Sequence, residues 1–465
     1  MENRTLHFIC QACQGALLRG AESLAIARVC TDSRRLAAGD LFVALAGENF
    51  DGHTFLDQAA ARGAAGVVID RAKTPSTLPG CAVIAVDDTR RALGRLAAAY
   101  RSGFELPVTA VAGSNGKTTT KDLAAAVLRK KFPTLSSPAS FNNDIGVPLT
   151  LLDLGESHRA AVLEAGTNHP GELAPLLQMI RPRFGILTSI GREHLEFFRD
   201  LDGVLEEEGS LAEAIPPGGA LFIPGDAPWT ARVMQRSRSR VVRIGREPGN
   251  DWRISSIQLE RQGTRFQVEA PSPGWSGEYR VQLLGRHQAD NALLAIALGA
   301  EHGLSREEIA AGLAECPAPG MRLQLREVKG VRILDDSYNA NADSMLAALE
   351  TLQDLPCAGR RVAVLGDMAE LGEQSRAAHE EVGRRAAELG VGQLFTIGSR
   401  AAWSAAAARA AGLNRVIEFA DVDVAAPAVK KFLKTGDVVL LKASRAAHLE
   451  RLSEFLRGGR PGRKN

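Results

Sequence analysis

A glycine-rich loop between an apolar run and a helical stretch constrains the fold more than any other feature of the sequence. The loop consists of Gly113, Ser114, Asn115, Gly116, Lys117, Thr118 and Thr119. It follows the apolar run 108–112 and precedes a helix predicted over residues 121–131. Backbone N–H groups of such a turn converge on phosphate oxygens, and the helix N-terminus adds partial positive charge. Lys117 would neutralise the outer phosphates and Thr118 would bind Mg²⁺. The loop therefore predicts nucleotide binding, although it is two residues shorter than the full phosphate-loop consensus.

A phosphate loop needs an acidic residue on a neighbouring strand to hold the metal ion. Glu164 ends the apolar run 160–163 and fits this role, although a glutamate at a strand end can equally be a solvated terminus. A second apolar run, 184–190, leads to His194, which by itself is more typical of a surface or core histidine than of a ligand. We predict that the strand ends at 113, 164 and 194 meet at the carboxyl edge of one parallel sheet, where ligands of such sheets bind.

The length of 465 residues predicts about three domains. Apolar runs alternate with helical stretches, which predicts an α/β protein with mostly parallel sheets. We predict an N-terminal α/β unit over 1–105, a central unit over 106–318 and a C-terminal unit over 319–465. The alternating, Arg-rich stretch 232–282 predicts antiparallel strands added to the central sheet, and the Pro/Gly-rich passage 316–320 predicts a linker. Further predicted strands are 41–45, 67–69, 83–86, 361–365, 393–397 and 438–442, and further predicted helices are 54–62, 89–101 and 287–302.

Charge and composition exclude several classes of protein. The chain has 56 Lys and Arg against 54 Asp and Glu, a net charge of +2, so anionic ligands must be held by local sites. We therefore expect no nucleic-acid partner. No apolar stretch approaches the roughly 18 residues of a membrane helix, and the first residues lack a signal-peptide core, so we expect a cytoplasmic protein without a membrane span. Cys10 and Cys13 form a CxxC, which we interpret as incidental because no second CxxC or nearby His pair accompanies it.

Three further stretches carry a resemblance to a known family. They are FNNDIGVPLT over 141–150, DDSYNAN over 335–341 and LGDMAELG over 365–372. With the glycine-rich loop, and over nearly the whole chain, they resemble the Mur ligase family, the ATP-dependent amide-forming enzymes of peptidoglycan precursor synthesis. The stretch 335–341 is nearly diagnostic of the member that adds D-alanyl-D-alanine to UDP-N-acetylmuramoyl-tripeptide.

The resemblance implies a fold and a set of ligands. The fold would have a small N-terminal α/β UDP-binding module, a central P-loop mononucleotide-binding sheet and a C-terminal Rossmann-like domain. ATP and Mg²⁺ would be the cofactors, and UDP-N-acetylmuramoyl-tripeptide and D-alanyl-D-alanine would be the substrates, joined through an acyl phosphate. We expect a monomer whose C-terminal domain closes over the central one on a hinge at 317–320.

The resemblance also assigns residues to each ligand. For ATP it adds four positions to the loop 113–119, namely His287, Asn291, Arg322 and Asp336. For the metal it matches Thr118, Glu164 and His194, and for catalysis Lys117 and His194. The UDP-substrate assignments are Ser33, Arg34, Asn49, His53, Asn142 and Asn143, and the dipeptide pocket comprises Asn339, Lys442, Ser444 and Arg445. Without the family, Ser33 would be a turn residue, His53 a surface residue and 442–445 a solvated strand end.

The chain departs from the family pattern at several positions. Glu208 stands where the family has a carbamylated lysine that helps to hold Mg²⁺. Our hypothesis is that Glu208 supplies the anion directly, through a bridging water or a shifted helix because its side chain is shorter. The alternative is that 206–208 form a solvated acidic helix face. Ala342 replaces a usual Pro, Ala443 a usual Gly and Pro224 a usual Asn; we interpret the first two as tolerated loop changes, although Ala443 could narrow the dipeptide pocket.

Other functions share part of this pattern. A related Mur ligase that adds the third stem-peptide residue lacks the pattern at 336–341 and carries a diamino-acid motif that is absent here. A folylpolyglutamate synthetase normally lacks the N-terminal UDP module. A P-loop kinase or nucleotide switch would share 113–118 but would not need His194, Asn291 and a third domain.

Overall fold

The structure is a computed structural model of the chain and describes residues 1–47 and 50–458. Its strands form sheets of five, nine and six strands in succession along the chain, with a further two-stranded sheet near the N-terminus. The expected α/β fold with three units is therefore confirmed. The limits at 105/106 and 318/319 fall between successive sheets and stay predictions as domain boundaries. Among the described helices, none has the length and apolar character that crossing a membrane requires.

The N-terminal unit contains a five-stranded mixed sheet. The strands of the unit are Arg4–Thr5 (β1), Ala16–Arg19 (β2), Ala25–Ile26 (β3), Val29–Cys30 (β4), Leu41–Val43 (β5), Gly66–Asp70 (β6) and Ala82–Val86 (β7), of which β1 and β3 form the separate two-stranded sheet. The helices of the unit are Leu6–Cys13 (α1), Leu56–Ala61 (α2) and Thr89–Arg101 (α3). The sheet order is β2-β7-β6-β5-β4, with only β2 antiparallel to its neighbour in this part of the chain. The predicted helix 54–62 is divided, because a 3₁₀ turn over Gly52–Phe55 precedes α2.

Helix α3 attaches this unit to the central one. Asp88 caps its N-terminus by accepting a hydrogen bond from the Arg91 N–H, and its apolar face is buried. Near its C-terminus, the Tyr100 hydroxyl donates to the Leu154 carbonyl at 2.6 Å and the Arg101 Nε donates to the Ile180 carbonyl at 3.1 Å. The helix therefore spans the junction of the two units, and its first turns reach the edge where the loop 113–119 lies.

The central unit is a nine-stranded sheet. Its strands are Val108–Ala112 (β8), Thr134–Ser136 (β9), Ala160–Glu164 (β10), Phe184–Leu187 (β11), Ala220–Pro224 (β12), Arg240–Gly245 (β13), Trp252–Glu260 (β14), Gly263–Glu269 (β15) and Gly277–Val281 (β16). The order is β16-β15-β14-β13-β12-β11-β8-β10-β9, parallel from β9 to β14 and antiparallel beyond. The prediction for 232–282 is correct for β14 to β16 and wrong for β13, which is parallel, since alternation reports the two faces of a strand and not its direction.

The helices of this unit hold the glycine-rich loop in place. They are Lys117–Leu128 (α4), Gly146–Leu152 (α5), Leu173–Ile180 (α6), Leu195–Phe198 (α7), Leu201–Glu208 (α8), Ser210–Ala214 (α9), Thr230–Arg236 (α10), His287–Glu301 (α11) and Arg306–Glu315 (α12). Residues Thr230–Arg236 form a helix, so the prediction of strands from residue 232 onward is wrong at its start. Helix α4 starts earlier than predicted because Gly116, at φ 85°, turns the chain directly into it. Gly312 of α12 lets the helices approach closely, since a Cβ there would lie 2.6 Å from the Val127 Cα.

The C-terminal unit is a six-stranded sheet with one antiparallel edge. Its strands are Gln324–Val328 (β17), Val331–Asp336 (β18), Arg361–Gly366 (β19), Gln393–Ile397 (β20), Val416–Phe419 (β21) and Val438–Lys442 (β22), and its helices are Ala342–Asp354 (α13), Ser375–Glu388 (α14), Ala401–Ala410 (α15), Val422–Phe432 (α16) and Glu450–Leu456 (α17). The order β17-β18-β22-β19-β20-β21 places β18 beside β22 in parallel, which pairs Asp336 with Lys442. The strands predicted at 393–397 and 438–442 are confirmed.

Candidate active site

A cleft of about 1820 Å³ lies where the three units meet, and residues of all three line it. The adjacent parallel strands β11, β8 and β10 end at this cleft. The prediction that the chain segments after these strands share one sheet edge is therefore confirmed. The assigned residues that line the cleft are Ser114, Asn115, Gly116, Lys117, Thr118, Thr119, Asn142, Asn143, Glu164, His194, His287, Asn291, Arg322, Asp336, Asn339, Lys442, Ser444 and Arg445.

Glycine is required at both glycine positions of the loop. Gly113 has φ 116°, and a Cβ there would lie 2.5 Å from the Thr188 Oγ1. Gly116 has φ 85°, and its Cβ would lie 2.5 Å from the Asn291 Oδ1. The Ser114 N–H donates to the Ser189 carbonyl at 2.9 Å, so this part of the loop is tied to the segment after β11. The N-terminus of α4, whose first N–H groups have no acceptor within the helix, is then the part suited to a phosphate.

The Lys117 ammonium is surrounded by acidic residues. It donates to the Gly113 carbonyl, and its Nζ lies 3.5 Å from the Glu193 Oε2. Burial by itself would lower the pKa of Lys117, but the carboxylates of Glu193, Glu208 and Glu164 outweigh it and raise that pKa above its usual value. Lys117 therefore remains a cation beside the loop, and its contact with phosphates stays a prediction.

Three carboxylates around Lys117, those of Glu164, Glu193 and Glu208, form what we call the acidic cluster. Their residues are 1%, 6% and 1% exposed. One oxygen of each, the Glu164 Oε2, Glu193 Oε1 and Glu208 Oε1, has no hydrogen-bond partner among the described residues. Buried oxygens without partners are rare in folded proteins, and Mg²⁺ takes oxygen ligands. The cluster thus has the chemistry that a divalent cation needs. Within 1–47 and 50–458, however, no three acidic, His or Cys side chains are already gathered as a metal site, and Mg²⁺ stays a proposal.

Glu208 lies against the loop itself. Its Oε2 accepts a hydrogen bond from the Gly113 N–H at 2.7 Å, and burial raises its pKa above its usual range although Lys117 opposes the shift. Its neighbour Glu207 is buried as well, and its carboxylate accepts hydrogen bonds from the N–H groups of Gly171 and Leu173 at 2.7 Å each. The alternative of a solvated acidic face therefore applies to Glu206 and is wrong for the other two. The role of Glu208 toward metal stays a hypothesis.

His194 joins the central unit to the C-terminal one. Its Nδ1 lies 2.5 Å from the Glu370 Oε2, and its Nε2 lies 4.0 Å from the Glu193 Oε2. The hydrogen bond from His194 lowers the pKa of Glu370 below its usual range. Nearby, Arg192 donates to Asp343 through its Nε at 2.8 Å. Sequence reasoning missed Glu193 and Glu370. Glu193 is adjacent to a predicted ligand, and Glu370 lies in the stretch 365–372, yet a separation of 176 residues gave no sign of its pairing.

The residues assigned to ATP come from two units. From the C-terminal unit, the Arg322 guanidinium lies 4.2 Å above the Tyr338 ring and donates to the Thr118 Oγ1 at 3.1 Å. His287 and Asn291 lie one turn apart on α11, as predicted from their spacing. Burial lowers the pKa of His287 to about 4, so the ring is neutral at pH 7.

Asp336 and the dipeptide residues form a connected group at the end of β18 and β22. The Lys442 Nζ lies 2.5 Å from the Asp336 Oδ2 and 3.0 Å from the Asn339 carbonyl, to which it donates. The Ser444 Oγ accepts the Ala369 N–H at 2.8 Å and donates to the Ala340 carbonyl at 3.1 Å. Ser444 thus holds two loops together at the edge of the cleft.

The three substituted positions differ in their surroundings. Ala443 is fully buried and packs against Gly366, where an added Cβ would lie 2.6 Å from the Ala443 Cβ. It is not among the described residues that line the cleft, and its effect on the dipeptide pocket stays a prediction. Ala342 is the first residue of α13 and is also buried. Pro224 ends β12 and lines the cleft.

Of the N-terminal residues assigned to UDP, Ser33, Arg34 and His53 are not among the residues that line this cleft. Ser33 is buried, and its carbonyl accepts a hydrogen bond from Arg62 at 2.8 Å. Arg34 is exposed and pairs with Asp32. Asn49 lies outside the described residues. Asn142 and Asn143 do line the cleft, and the Asn142 Nδ2 donates to the Glu164 Oε1 at 2.8 Å.

His53 is held on both sides of its ring. Its Nδ1 lies 2.6 Å from the Asp51 Oδ1, and its Nε2 accepts the Asp70 N–H at 2.9 Å. Helix α3 instead brings Arg90, Arg91 and Arg95 to the cleft, which sequence reasoning missed although their spacing on one helix was available. The UDP assignments stay predictions.

Comparison with known proteins gives matches along the chain. Three family models match it: "Mur ligase family, catalytic domain" over 25–101, "Mur ligase middle domain" over 111–299 and "Mur ligase, glutamate ligase domain" over 321–445. The chain is 35% identical to the UDP-N-acetylmuramoyl-tripeptide--D-alanyl-D-alanine ligase of Bacillus subtilis, over 98% of this chain and 99% of the relative.

Two solved structures extend these matches. The structure of MurF from Acinetobacter baumannii has a TM-score of 0.90 at 32% identity and covers 98% of this chain and 99% of that one. The structure of MurF ligase from Thermotoga maritima, in complex with ADP, has a TM-score of 0.81 at 28% identity and covers 93% and 97% of the two chains. The likeness thus includes a protein seen with a bound adenine nucleotide.

Proposed function

The chain belongs to the Mur ligase family, and we propose that it joins D-alanyl-D-alanine to UDP-N-acetylmuramoyl-tripeptide with ATP, a step of peptidoglycan precursor synthesis. The observation that carries this function is the single cleft at which the glycine-rich loop faces residues of both other units. A reaction that combines a nucleotide with two further substrates needs such a meeting point. The match along nearly the full length to a D-alanyl-D-alanine ligase supports the choice of substrates.

The chemistry explains why the enzyme needs ATP. Joining a carboxylate to an amine in water is uphill, so the carboxylate has to be activated. Its oxygen attacks the γ-phosphorus of ATP, the bond to the β–γ bridging oxygen breaks, and ADP leaves behind an acyl phosphate. The amine of the dipeptide then attacks the acyl carbon, loses a proton and displaces inorganic phosphate. The protein contributes mainly positioning and charge neutralisation.

The chain's own residues divide this work. We propose that Lys117 and the N-terminus of α4 hold the ATP phosphates and that Arg322 adds a second cation from the C-terminal unit. His287 and Asn291 would lie on the adenine side. The residues that would hold Mg²⁺ are Thr118, Glu164 and His194, with Glu208 as a further acidic group. When bound, Mg²⁺ would neutralise phosphate charge, and the unpartnered oxygens of the acidic cluster support its presence.

The dipeptide is proposed to bind near the ends of β18 and β22. Asn339 and Arg445 line the cleft there, and Lys442 and Ser444 fix the surrounding loops. Because one chain supplies all three sides of the cleft, we propose that the enzyme acts as a monomer. We also place it in the cytoplasm, where ATP and UDP-linked precursors are found.

The substrates would bind to residues of three units, so the cleft has to open for them to enter and close to bring them together. We propose that the C-terminal unit moves on the segment 317–320, which follows α12. The result expected is a smaller radius of gyration in X-ray scattering when an ATP analogue is added. Superimposable profiles with and without the analogue would contradict closure.

A coupled ADP-release assay tests the function. ADP release is expected to require both UDP-N-acetylmuramoyl-tripeptide and D-alanyl-D-alanine, and mass spectrometry of the product should show one added dipeptide. Omission of either substrate is the control. Turnover with an alcohol acceptor or without any acceptor would contradict the ligase, and turnover with a UDP-muramoyl dipeptide and a diamino acid would favour the related Mur ligase instead.

A further inference from the structure

His194 is held by contacts from two units of the chain. It follows β11 in the left-handed backbone region, at φ 48°, and its side chain is 15% exposed. Its Nδ1 lies 2.5 Å from the Glu370 Oε2 in the C-terminal unit. Its Nε2 is on the side of Glu193, at 4.0 Å from the Oε2 of that acidic-cluster residue. The ring therefore presents one nitrogen to the C-terminal unit and the other to the acidic cluster.

The turn that carries Glu370 is built to meet the segment around His194. The Glu370 carbonyl accepts the Glu196 N–H at 3.1 Å. A Cβ at Gly372 would lie 3.0 Å from the Glu196 Cα, so a glycine permits the approach of the two backbones. The Gln374 side chain donates to the Arg199 carbonyl at 3.0 Å. One main-chain hydrogen bond and the Gln374 contact thus place the turn beside His194, where the Glu370 carboxylate reaches Nδ1.

We propose that Glu370 is the positioning residue of His194 and that His194 is oriented toward the acidic cluster only while the C-terminal unit is docked. This inference deepens the proposed function, on which it rests, because it assigns His194 to the cation. A carboxylate that accepts the Nδ1–H bond fixes the tautomer whose lone pair is on Nε2. It also fixes the ring plane and makes Nε2 a stronger donor toward a metal ion.

Docking of the C-terminal unit has its own contacts near this pair. Arg192 donates to Asp343 through its backbone N–H at 2.7 Å and to Glu381 through its guanidinium at 2.5 Å. The Asn341 amide donates to the Asn115 Oδ1 at 3.0 Å. If the unit withdraws, Glu370 leaves His194, and the ring is free to change its tautomer. The charge pairs of Arg192 and the positioning of His194 can therefore be separated by mutation.

The affinity for Mn²⁺ alone tests the proposal, measured from the electron paramagnetic resonance signal of the free ion. Glu370→Ala is expected to weaken Mn²⁺ binding about tenfold, since loss of a carboxylate that supports a metal-bound histidine typically costs 10–100-fold in affinity. Glu370→Gln, which keeps an oxygen acceptor but removes the charge, is expected to bind Mn²⁺ with intermediate affinity. The ¹⁵N shifts of the His194 ring, assigned by comparison with His194→Asn, should show a fixed Nε2 lone pair in the wild type and tautomer exchange in Glu370→Ala.

Two variants separate positioning from general effects. Glu373→Ala removes an exposed carboxylate three positions further along the same turn and should leave Mn²⁺ affinity unchanged. Asp343→Asn weakens the Arg192 contact without touching His194 and should reduce Mn²⁺ affinity less than Glu370→Ala does.

Several results would overturn the proposal. Wild-type Mn²⁺ affinity in both Glu370 variants would do so, as would an equal loss in Glu373→Ala, which would indicate a general effect of the turn. Unchanged affinity in His194→Asn would place the histidine off the metal. Failure of the proposed function is distinct, because it would appear as wild-type protein that releases no ADP with D-alanyl-D-alanine, whatever its affinity for Mn²⁺.

Discussion

Polar side chains at the edge of the central sheet and in the N-terminal unit differ in whether they have hydrogen-bond partners within the protein. Around Lys117, three buried carboxylates each keep an oxygen without a partner in the described part of the chain. In the N-terminal unit, His53 has a partner for each ring nitrogen, and Arg34 is paired with Asp32. A buried polar group without a partner costs about 1–3 kcal/mol, so a fold keeps several together only where something else compensates. The central edge therefore keeps polar atoms free for a partner, as the proposed cation site requires, whereas the N-terminal polar residues already stabilise their own loops.

Removing Lys117 should have the largest effect. Lys117→Gln takes the cation from the glycine-rich loop, and we expect kcat/KM for ADP release to fall about 10³-fold, as for loss of a preorganised charge-stabilising donor. The variant leaves the acidic cluster without its buried cation, so its thermal midpoint should fall as well. Lys130→Gln, a partly exposed lysine that pairs with Glu315, is the control and should retain activity. Activity within tenfold of the wild type in Lys117→Gln would contradict the assignment.

A matched pair of histidine variants tests the comparison directly. His194→Ala should lower kcat by about 10²-fold through lost charge stabilisation and positioning, with a small change in thermal midpoint. His53→Ala should do the reverse, because it removes two partly buried hydrogen bonds and should destabilise the N-terminal unit by about 1–3 kcal/mol.

Steady-state kinetics and thermal melts of the two variants decide between the roles. If His53 contacts the UDP end of the substrate, as the family resemblance implies, the KM for the UDP-linked substrate will rise in His53→Ala while the melt is unchanged. That outcome would break the distinction between the two regions.

Gly113→Ala should weaken both stability and nucleotide binding. Its Cβ would meet the Thr188 Oγ1 and the Ser189 carbonyl, and its φ of 116° is unfavourable for alanine, so we expect a loss of about 2–3 kcal/mol. Gly249→Ala is the matched control, because φ is 99° there but no described atom lies within 4 Å of the added Cβ. Its cost should be about 1 kcal/mol, from backbone strain alone. Equal losses in the two variants, in thermal melts or in the affinity for an ATP analogue, would show that close contact at Gly113 does not matter.

A pH dependence of stability should come from His287. Burial lowers its pKa to about 4 in the folded state, against about 6.5 when unfolded. Between these values the unfolded state binds more protons, so stability rises with pH and is lost as pH falls from about 6.5 toward about 4, by at most about 1.4 kcal/mol per pH unit. Thermal melts of His287→Gln should therefore fall less steeply over this range than those of the wild type. Identical slopes would show that the ring does not stay neutral in the fold; His7→Gln, at an exposed site, is the control.

The local sequence signals were accurate where a strand, a turn and a helix follow one another. The apolar run Val108–Ala112, the two glycines and the following helix predicted the loop because glycine spacing and apolar length are local properties. The same signals placed Glu164 at the end of β10 and His194 in the segment after β11, on one edge of the sheet, since parallel strands separated by helices share one carboxyl edge. The direction of β13 and the helix Thr230–Arg236 were missed, because a short alternating segment is compatible with several arrangements. The start of α4 was missed because the turn at Gly116 leads directly into the helix.

The composition and order of residues determined the fold class, the loop and the strand ends that are proposed to bind ligands. Which side chains keep partners and which are left unsatisfied was decided only by the tertiary structure. Glu193 and Glu208 lie 15 residues apart in sequence and Glu370 is 176 residues from His194, yet all surround the same edge. The physical reason is that burial, pairing and charge compensation depend on distances across packed units. Periodicity along a chain reports only which face a residue occupies.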